Sequence, residues 1–148
     1  MARGFRLQPV LELAKQRLEA ATAQLQKLGV QRQEAQARLV QLKAFQAEYQ
    51  ASRQQGLVQG MEPDRLRDFD AFLAKLARAI GQQTIEVERT TQAWEVEHRR
   101  WLELRSREQA LAVLERRHLA LLATQDARSE QKQQDEFAAG KARQSGEG

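Results

Sequence analysis

The chain has 148 residues, of which 41% are hydrophobic and only 5% aromatic, and its 24 basic and 20 acidic side chains leave a net charge of +4. Few β-branched and aromatic residues argue against a β-sheet, whereas abundant Ala, Leu, Gln, Glu, Arg and Lys favour helix. Because cysteine is absent from the sequence, disulfides and thiolate metal sites are excluded.

The N-terminal segment, residues 1–21, lacks the unbroken apolar core of a signal peptide. No run in the sequence approaches the roughly 20 apolar residues that a membrane-spanning helix needs. We therefore expect a soluble, cytoplasmic protein.

The first predicted helix, residues 6–52, repeats apolar side chains at alternating spacings of three and four. A repeat of this kind over several heptads predicts the seam of a coiled coil, the row of side chains that faces a partner helix. Two polar residues interrupt the seam, and such residues typically fix the register at some cost in stability. The seam positions are Leu7, Leu11, Ala14, Leu18, Ala21, Leu25, Leu28, Arg32, Ala35, Leu39, Leu42, Gln46 and Tyr49.

The hinge, residues 53–63, separates this helix from the next. Gly56 and Gly60 disfavour helix, and Gly60 can supply a positive φ. Pro63 suits the first turn of a new helix, where its missing N–H is not needed. The hinge therefore predicts that the chain folds back on itself.

The second predicted helix, residues 64–133, carries a seam of the same kind. Beyond Leu111 the pattern takes a second three-residue step, to Leu114, and this predicts a stammer that overwinds the coil locally. The seam positions are Phe69, Leu73, Leu76, Ile80, Gln83, Val87, Thr90, Trp94, Glu97 or His98, Trp101, Leu104, Glu108 and Leu111, followed by Leu114, His118, Leu121 and Gln125.

These elements predict an all-α fold: a long antiparallel two-helix coiled coil, or helical hairpin, over residues 1–137. Apolar residues nearly vanish after residue 126, so residues 138–148 are expected to form a frayed or disordered, flexible tail. The hairpin register brings Tyr49 to Phe69 and Leu42 to Leu76. The longer second helix then has no partner within the chain beyond residue 112. Its leucines in that part would form an exposed apolar stripe, which usually has a partner.

No motif for catalysis is present. The glycines do not form a P-loop, no G-x-S-x-G turn occurs, and His98 and His118 lack an H-E-x-x-H arrangement. A two-helix coiled coil also offers no deep pocket that excludes water. We therefore predict no enzymatic activity, no catalytic residue, no metal site and no cofactor.

Aromatic residues concentrate on both sides of the hinge, at Phe45, Tyr49, Phe69 and Phe72. Two helices alone cannot bury four rings completely, and exposed aromatic side chains are good anchors for another protein. Farther along, Trp94 and Trp101 lie seven residues apart on one helix face. They can pack in the seam or serve as exposed anchors.

Two other interpretations compete with a protein-docking coiled coil. The basic run HRRWLELRSRE, residues 98–108, suggests a nucleic-acid-binding or ribosome-associated coiled coil. Glu103 and Glu108 interrupt that run, however, and the net charge is modest, so we expect no nucleic acid partner. The unpaired leucines of the second helix could instead make the chain a self-associating scaffold.

The sequence resembles the FliJ family, a soluble component of the flagellar type III protein export apparatus. The resemblance rests on the segments LKAFQAEYQ, FDAFLAKLARAIGQQ and EQKQQDEFAAGKAR, on the short glycine-bearing hinge and on the tryptophans of the second helix. It extends over nearly the whole chain in length and order. For the fold it implies a long antiparallel coiled coil similar to the gamma subunit of rotary ATP synthases.

For function the resemblance implies a non-enzymatic stalk in the cytoplasm, peripherally associated with the inner membrane at the flagellar base. The expected partners are the hexameric export ATPase FliI, the export gate protein FlhA and export chaperones. The residues expected to bind the gate are Arg38, Leu42, Phe45, Tyr49, Phe72, Leu76, Ala79 and Gln83. The residues expected to bind the ATPase ring are Leu7, Leu11, Trp101, Leu114 and Leu121.

Overall fold

A computed structural model describes residues 4–146 of the chain. Helix α1 is Gln8–Gln59, with 52 residues, and helix α2 is Pro63–Gly146, with 84 residues. No strand occurs among residues 4–146, and the two long helices pack against each other. The predicted all-α coiled coil is therefore confirmed. Residues 1–3 of the predicted hairpin and 147–148 of the predicted tail lie outside the described residues.

The chain divides into two compact units. We call the residues up to Glu19 together with those from Glu103 onward the terminal unit, and Ala20–Leu102 the turn unit. Both contain a segment of α1 and a segment of α2.

In the turn unit the two segments run antiparallel. The rings of Tyr49 and Phe69 lie 6.2 Å apart, which confirms the predicted pairing. Farther from the turn, the side-chain amide of Gln83 donates a 2.9 Å hydrogen bond to the backbone carbonyl oxygen of Ala35. Because residue numbers rise on one helix as they fall on the other, the segments share the seam that the spacing predicts.

Small and branched side chains form the interior of the turn unit. Ala21, Ala35 and Leu76 are buried. Thr90 is buried as well, and its hydroxyl donates to the backbone oxygens of Glu86 and Val87, each 3.0 Å away. A buried polar group is tolerated when it is hydrogen-bonded, so Thr90 fits between the helices without an unsatisfied donor.

The terminal unit has its own small core. Leu11 is fully buried and Ala14 is nearly so. Phe5, which precedes α1, packs its ring against the imidazole of His118 with centroids 5.7 Å apart. Leu104 of α2 lines a narrow space together with Ala14. The segments of this unit are thus also antiparallel, since Phe5 meets a later residue of α2 than Ala14 does.

The turn is shorter than the predicted hinge at residues 53–63. Helix α1 continues to Gln59 because its seam continues through Arg53 and Gly56, which are half-buried. The guanidinium of Arg53 donates a 2.8 Å hydrogen bond to Asp70 of α2. Only residues 60–62 connect the helices. Gly60 takes a φ of 91°, in agreement with the positive φ that the sequence predicts for it.

The predicted stammer in α2 is wrong. After Leu104 a row of half-buried positions continues in steps of four and three, and Ala112 and Val113 beside this row are half-buried as well. Leu114 is 41% exposed and Leu121 is 56% exposed, so both lie off the seam. The row in steps of four and three consists of Glu108, Leu111, Glu115, His118 and Leu122. Hydrophobicity alone favoured Leu114 over Glu115, whereas a continuous helix with a heptad seam keeps its phase.

The pairing of the helices and the length of α2 also differ from expectation. Contacts to the N-terminal segment extend to His118 and do not stop at residue 112, because Phe5 reaches α2 from outside the helix α1. Helix α2 runs beyond the predicted end at residue 133, and the predicted flexible tail is helical as far as Gly146. Ala, Gln, Glu, Lys and Arg dominate this stretch, and all of them are good helix formers.

Candidate protein-docking surfaces

The aromatic patch of the turn unit, Phe45, Tyr49, Phe69 and Phe72, lies next to the turn. The ring of Tyr49 contacts both Phe69 and Phe72, with the Phe72 centroid 4.3 Å away. Phe45, Tyr49 and Phe72 nevertheless remain exposed, with about two fifths of each side chain in contact with solvent. The patch thus combines rigid packing within the coil with an apolar outer surface, as expected of an anchor for another protein.

Four of the other predicted gate-binding residues differ widely in exposure. Leu76 is only 8% exposed and belongs to the interior of the turn unit. Leu42 and Ala79 are half-buried, whereas Arg38 is exposed. Arg38 is therefore accessible at the surface of the turn unit, whereas Leu76 is not.

The remaining predicted gate-binding residue, Gln83, is tied to the coil by its hydrogen bond to Ala35. Gln83 and Arg38 line one cavity of about 170 Å³ between the helices. Its wall also includes Glu86 and Arg89, which the sequence did not indicate as part of the site.

Two of the four charged residues that line this cavity, Glu86 and Arg89, form an ion pair. The Nε of Arg89 donates a 2.9 Å hydrogen bond to Glu86, and a second bond joins its terminal nitrogen to the other carboxylate oxygen. These hydrogen bonds, with the charges of Arg89 and Arg38, lower the pKa of Glu86 below its ordinary value of 4.5. Glu86 is therefore a carboxylate at neutral pH, and it holds Arg89 on its own helix.

Both tryptophans of α2 pack in the coil. The imidazole of His98 is stacked between the two indoles, with centroids 4.8 Å from Trp94 and 6.1 Å from Trp101. The guanidinium of Arg32 lies over the Trp94 ring at 4.9 Å, and the Trp101 indole donates a 2.8 Å hydrogen bond to Thr22. Half-buried packing is thus the role that the structure supports for these rings.

The predicted ring-binding residues of the terminal unit also differ in exposure. Leu11 lies in the core, whereas Leu7, Leu114 and Leu121 are exposed. Trp101 belongs to the turn unit and is half-buried. The exposed leucines are therefore the members of this set that could contact a partner directly.

Two apolar residues of the terminal unit, Val10 and Leu13, were missed by the sequence interpretation. They are exposed and line a narrow space with Arg107 of α2. Arg107, Leu114 and Leu121 follow one another at seven-residue steps and so share a face of α2. The signal was present in the sequence, since Val10 and Leu13 each precede a seam residue by one position and form a second apolar row.

The last part of α2 is exposed to solvent. Every side chain from residue 123 to residue 146 is exposed, including the ring of Phe137. Among residues 4–146 no group of His, Asp and Glu side chains could hold a metal ion. Neither α1 nor α2, as far as described, contains a stretch apolar enough and long enough to cross a membrane.

Comparisons with known proteins give a consistent result. The family model described as Flagellar FliJ protein matches residues 3–147. The chain is similar to the flagellar FliJ proteins of Salmonella typhi and Escherichia coli K12, at 28% identity over 138 residues, which is 93% of this chain and 94% of each relative. No solved structure matches it. The chain therefore belongs to the FliJ family, a family of flagellar export components.

Proposed function

We propose that this chain is a non-enzymatic stalk of the flagellar type III export apparatus. In this proposal the terminal unit binds the hexameric export ATPase FliI, and the turn unit binds the export gate protein FlhA. The chain also escorts export chaperones. It works in the cytoplasm and associates with the inner membrane only through the gate at the flagellar base.

The exposure of the aromatic patch carries this proposal. A soluble coiled coil gains stability by turning large apolar side chains inward. Here Phe45, Tyr49 and Phe72 stay partly exposed, although two of their rings pack against each other within the coil. An apolar patch kept at the surface is typical of a protein interface. Family membership supports export proteins as the partners.

The proposed mechanism is differential binding. A stalk can change the activity of a ring only if it binds some states of the ring more tightly than others. The exposed side chains of Leu7, Leu114 and Leu121 would make contacts in one arrangement of the ATPase subunits and lose them in another. The stalk would thereby favour assembly or turnover of the ring while its turn unit engages the gate.

The ATPase contact can be tested with purified proteins. Addition of the full chain should raise oligomerisation and ATP hydrolysis of the cognate FliI. The double variant Leu114→Glu and Leu121→Glu should lose that effect, because it replaces two exposed leucines of the proposed contact with charged side chains. The matched control is Val96→Glu, a charge on an exposed residue of the turn unit. An unchanged ATPase in the presence of the wild-type chain would contradict the proposal.

The gate contact can be tested with Phe45→Ala combined with Phe72→Ala. Both side chains are exposed, so helicity should be kept while binding to the cytoplasmic region of FlhA falls by about tenfold or more. The control combines Val40→Ala with Val58→Ala, two exposed residues of α1 outside the patch. Leu76 is less suitable, because truncating a buried leucine costs about 2–5 kcal/mol of stability. Equal binding by the phenylalanine variant and the control would refute this site.

A further inference from the structure

We propose that the aromatic patch is the middle of a longer groove, and that this groove holds an amphipathic α-helix of the partner with a carboxylate over Arg65. The inference rests on the proposed function, since the partner segment is taken to belong to the export gate. It adds the conformation of that segment and the position of its charge.

The patch is continuous with a cavity beside the turn. This cavity, of about 320 Å³, is lined by Ser52, Met61, Arg65 and Phe69 among others. Phe69 belongs to both features, because its ring also contacts Tyr49 of the patch. The patch and the turn cavity therefore share the Phe69 ring.

The groove also extends away from the turn. Ser52, Phe45 and Arg38 follow one another at seven-residue steps along α1, so they lie in one row on the same side of the coil. Arg38 lines the second cavity, described above. Fourteen residues of helix from Arg38 to Ser52 correspond to about 21 Å. A straight partner helix of about four turns would cover the whole row.

The surface favours a helix over an extended peptide. Among residues 4–146 there is no strand whose edge could pair with an added strand. The backbone groups of α1 and α2 are already bonded within their own helices, apart from the helix ends. A segment buried on the patch must then satisfy its own N–H and C=O groups, and an α-helix does so internally.

The charges favour a carboxylate at the turn end of the groove. Arg65 is the one charged residue among those described that line the turn cavity. Its guanidinium lies 6.0 Å from the Phe69 ring, and no carboxylate of the described residues is at ion-pair distance from it. The cavity at the Arg38 end is balanced instead, because Glu34 and Glu86 line it together with Arg38 and Arg89.

The test uses the full chain and peptides of about 20 residues that tile the cytoplasmic region of the cognate FlhA, long enough for a helix of about 30 Å. Arg65→Glu should weaken binding of the best peptide by about tenfold, through repulsion of its carboxylate. The matched control is Arg67→Glu, the same change at an exposed residue that pairs weakly with Asp64. Replacing the carboxylate of the peptide with lysine should restore binding to Arg65→Glu. Arg65→Gln provides a milder second variant, and circular dichroism verifies the fold of each.

The conformation of the bound peptide completes the test. Backbone chemical shifts of an isotope-labelled peptide should become helical on binding. An extended bound peptide, or equal losses for Arg65→Glu and Arg67→Glu, would overturn this inference and leave gate binding itself intact. If neither the peptides nor the whole cytoplasmic region of FlhA bind the wild-type chain, the proposed function fails as well.

Discussion

The indole Nε1 of Trp101 donates a 2.8 Å hydrogen bond to the hydroxyl of Thr22, and this bond joins α2 to α1 across the seam. Thr22→Val removes the acceptor and keeps the shape of the side chain. We expect it to lower the free energy of unfolding by about 1–2 kcal/mol, because a half-buried indole N–H loses its partner. Urea denaturation followed by circular dichroism measures the change.

The control for this prediction is Thr124→Val. The Thr124 hydroxyl is exposed and donates to the backbone oxygen of Ala120 on its own helix, 3.0 Å away. Its replacement should change stability by no more than about 0.5 kcal/mol. Equal losses for the two variants would show that the bond between Thr22 and Trp101 contributes nothing specific.

Two glycines should respond oppositely to alanine. Gly60 has a φ of 91°, which an L side chain rarely adopts, so Gly60→Ala should destabilise the chain by about 1–2 kcal/mol. Gly81 lies within α2, and a Cβ there would meet no atom within 4 Å. Gly81→Ala should therefore stabilise by about 0.5–1 kcal/mol through helix propensity. Thermal unfolding of both variants checks the signs, and shifts in the same direction would contradict the turn geometry.

Arg32 is a costly residue in the seam. Its Nε is buried without a hydrogen-bond partner, while its guanidinium stacks on Trp94. An unsatisfied buried donor costs about 1–3 kcal/mol and more in a charged group, whereas a cation–π contact contributes about 0.5–1 kcal/mol at exposed sites and about 2 kcal/mol when desolvated. Arg32→Met should consequently raise stability by about 1 kcal/mol in urea denaturation. A clear loss of stability would mean that the contact with Trp94 outweighs the buried nitrogen.

The ion pair of Glu86 and Arg89 predicts a pH dependence. Hydrogen bonding to Arg89 lowers the pKa of Glu86 in the folded chain. A carboxyl of this kind stabilises the fold above its unfolded pKa, and its contribution disappears as the pH falls through the folded value. Titration of the Glu86 side chain by NMR should give a midpoint below 4.5. In Arg89→Gln the midpoint should move back toward that value, and an unmoved midpoint would exclude the pair as its cause.

The heptad pattern predicted most of the fold. The spacing predicts twelve seam positions from Leu11 to Tyr49, and those at Leu11, Ala14, Ala21 and Ala35 are buried. The pairing of Tyr49 with Phe69 followed from the same spacing. Periodicity succeeds here because each apolar residue in a two-helix coil has a single partner surface available.

The heptad pattern gives wrong predictions where polar residues lie in the seam or apolar residues lie outside it. Arg53 extends α1 through its ion pair with Asp70, which hydrophobicity cannot reveal. Glu115 takes the inward position beside the exposed Leu114. Among the docking surfaces, the aromatic patch could be predicted from the sequence. The cavity around Arg65 and the placement of its charge could not, because both depend on how the turn folds.

The short turn at Gly60 and the seven-residue period of the turn unit together constrain how such a coil can change in length. Seven residues make two full turns in a coiled coil. Loss of one heptad from α1 with the facing heptad of α2 leaves every remaining side chain on its original side. Deletion of three or four residues from one helix alone would rotate the aromatic patch out of line with the other residues of its row. Insertions and deletions between relatives should therefore occur as matched heptads on opposite sides of the turn.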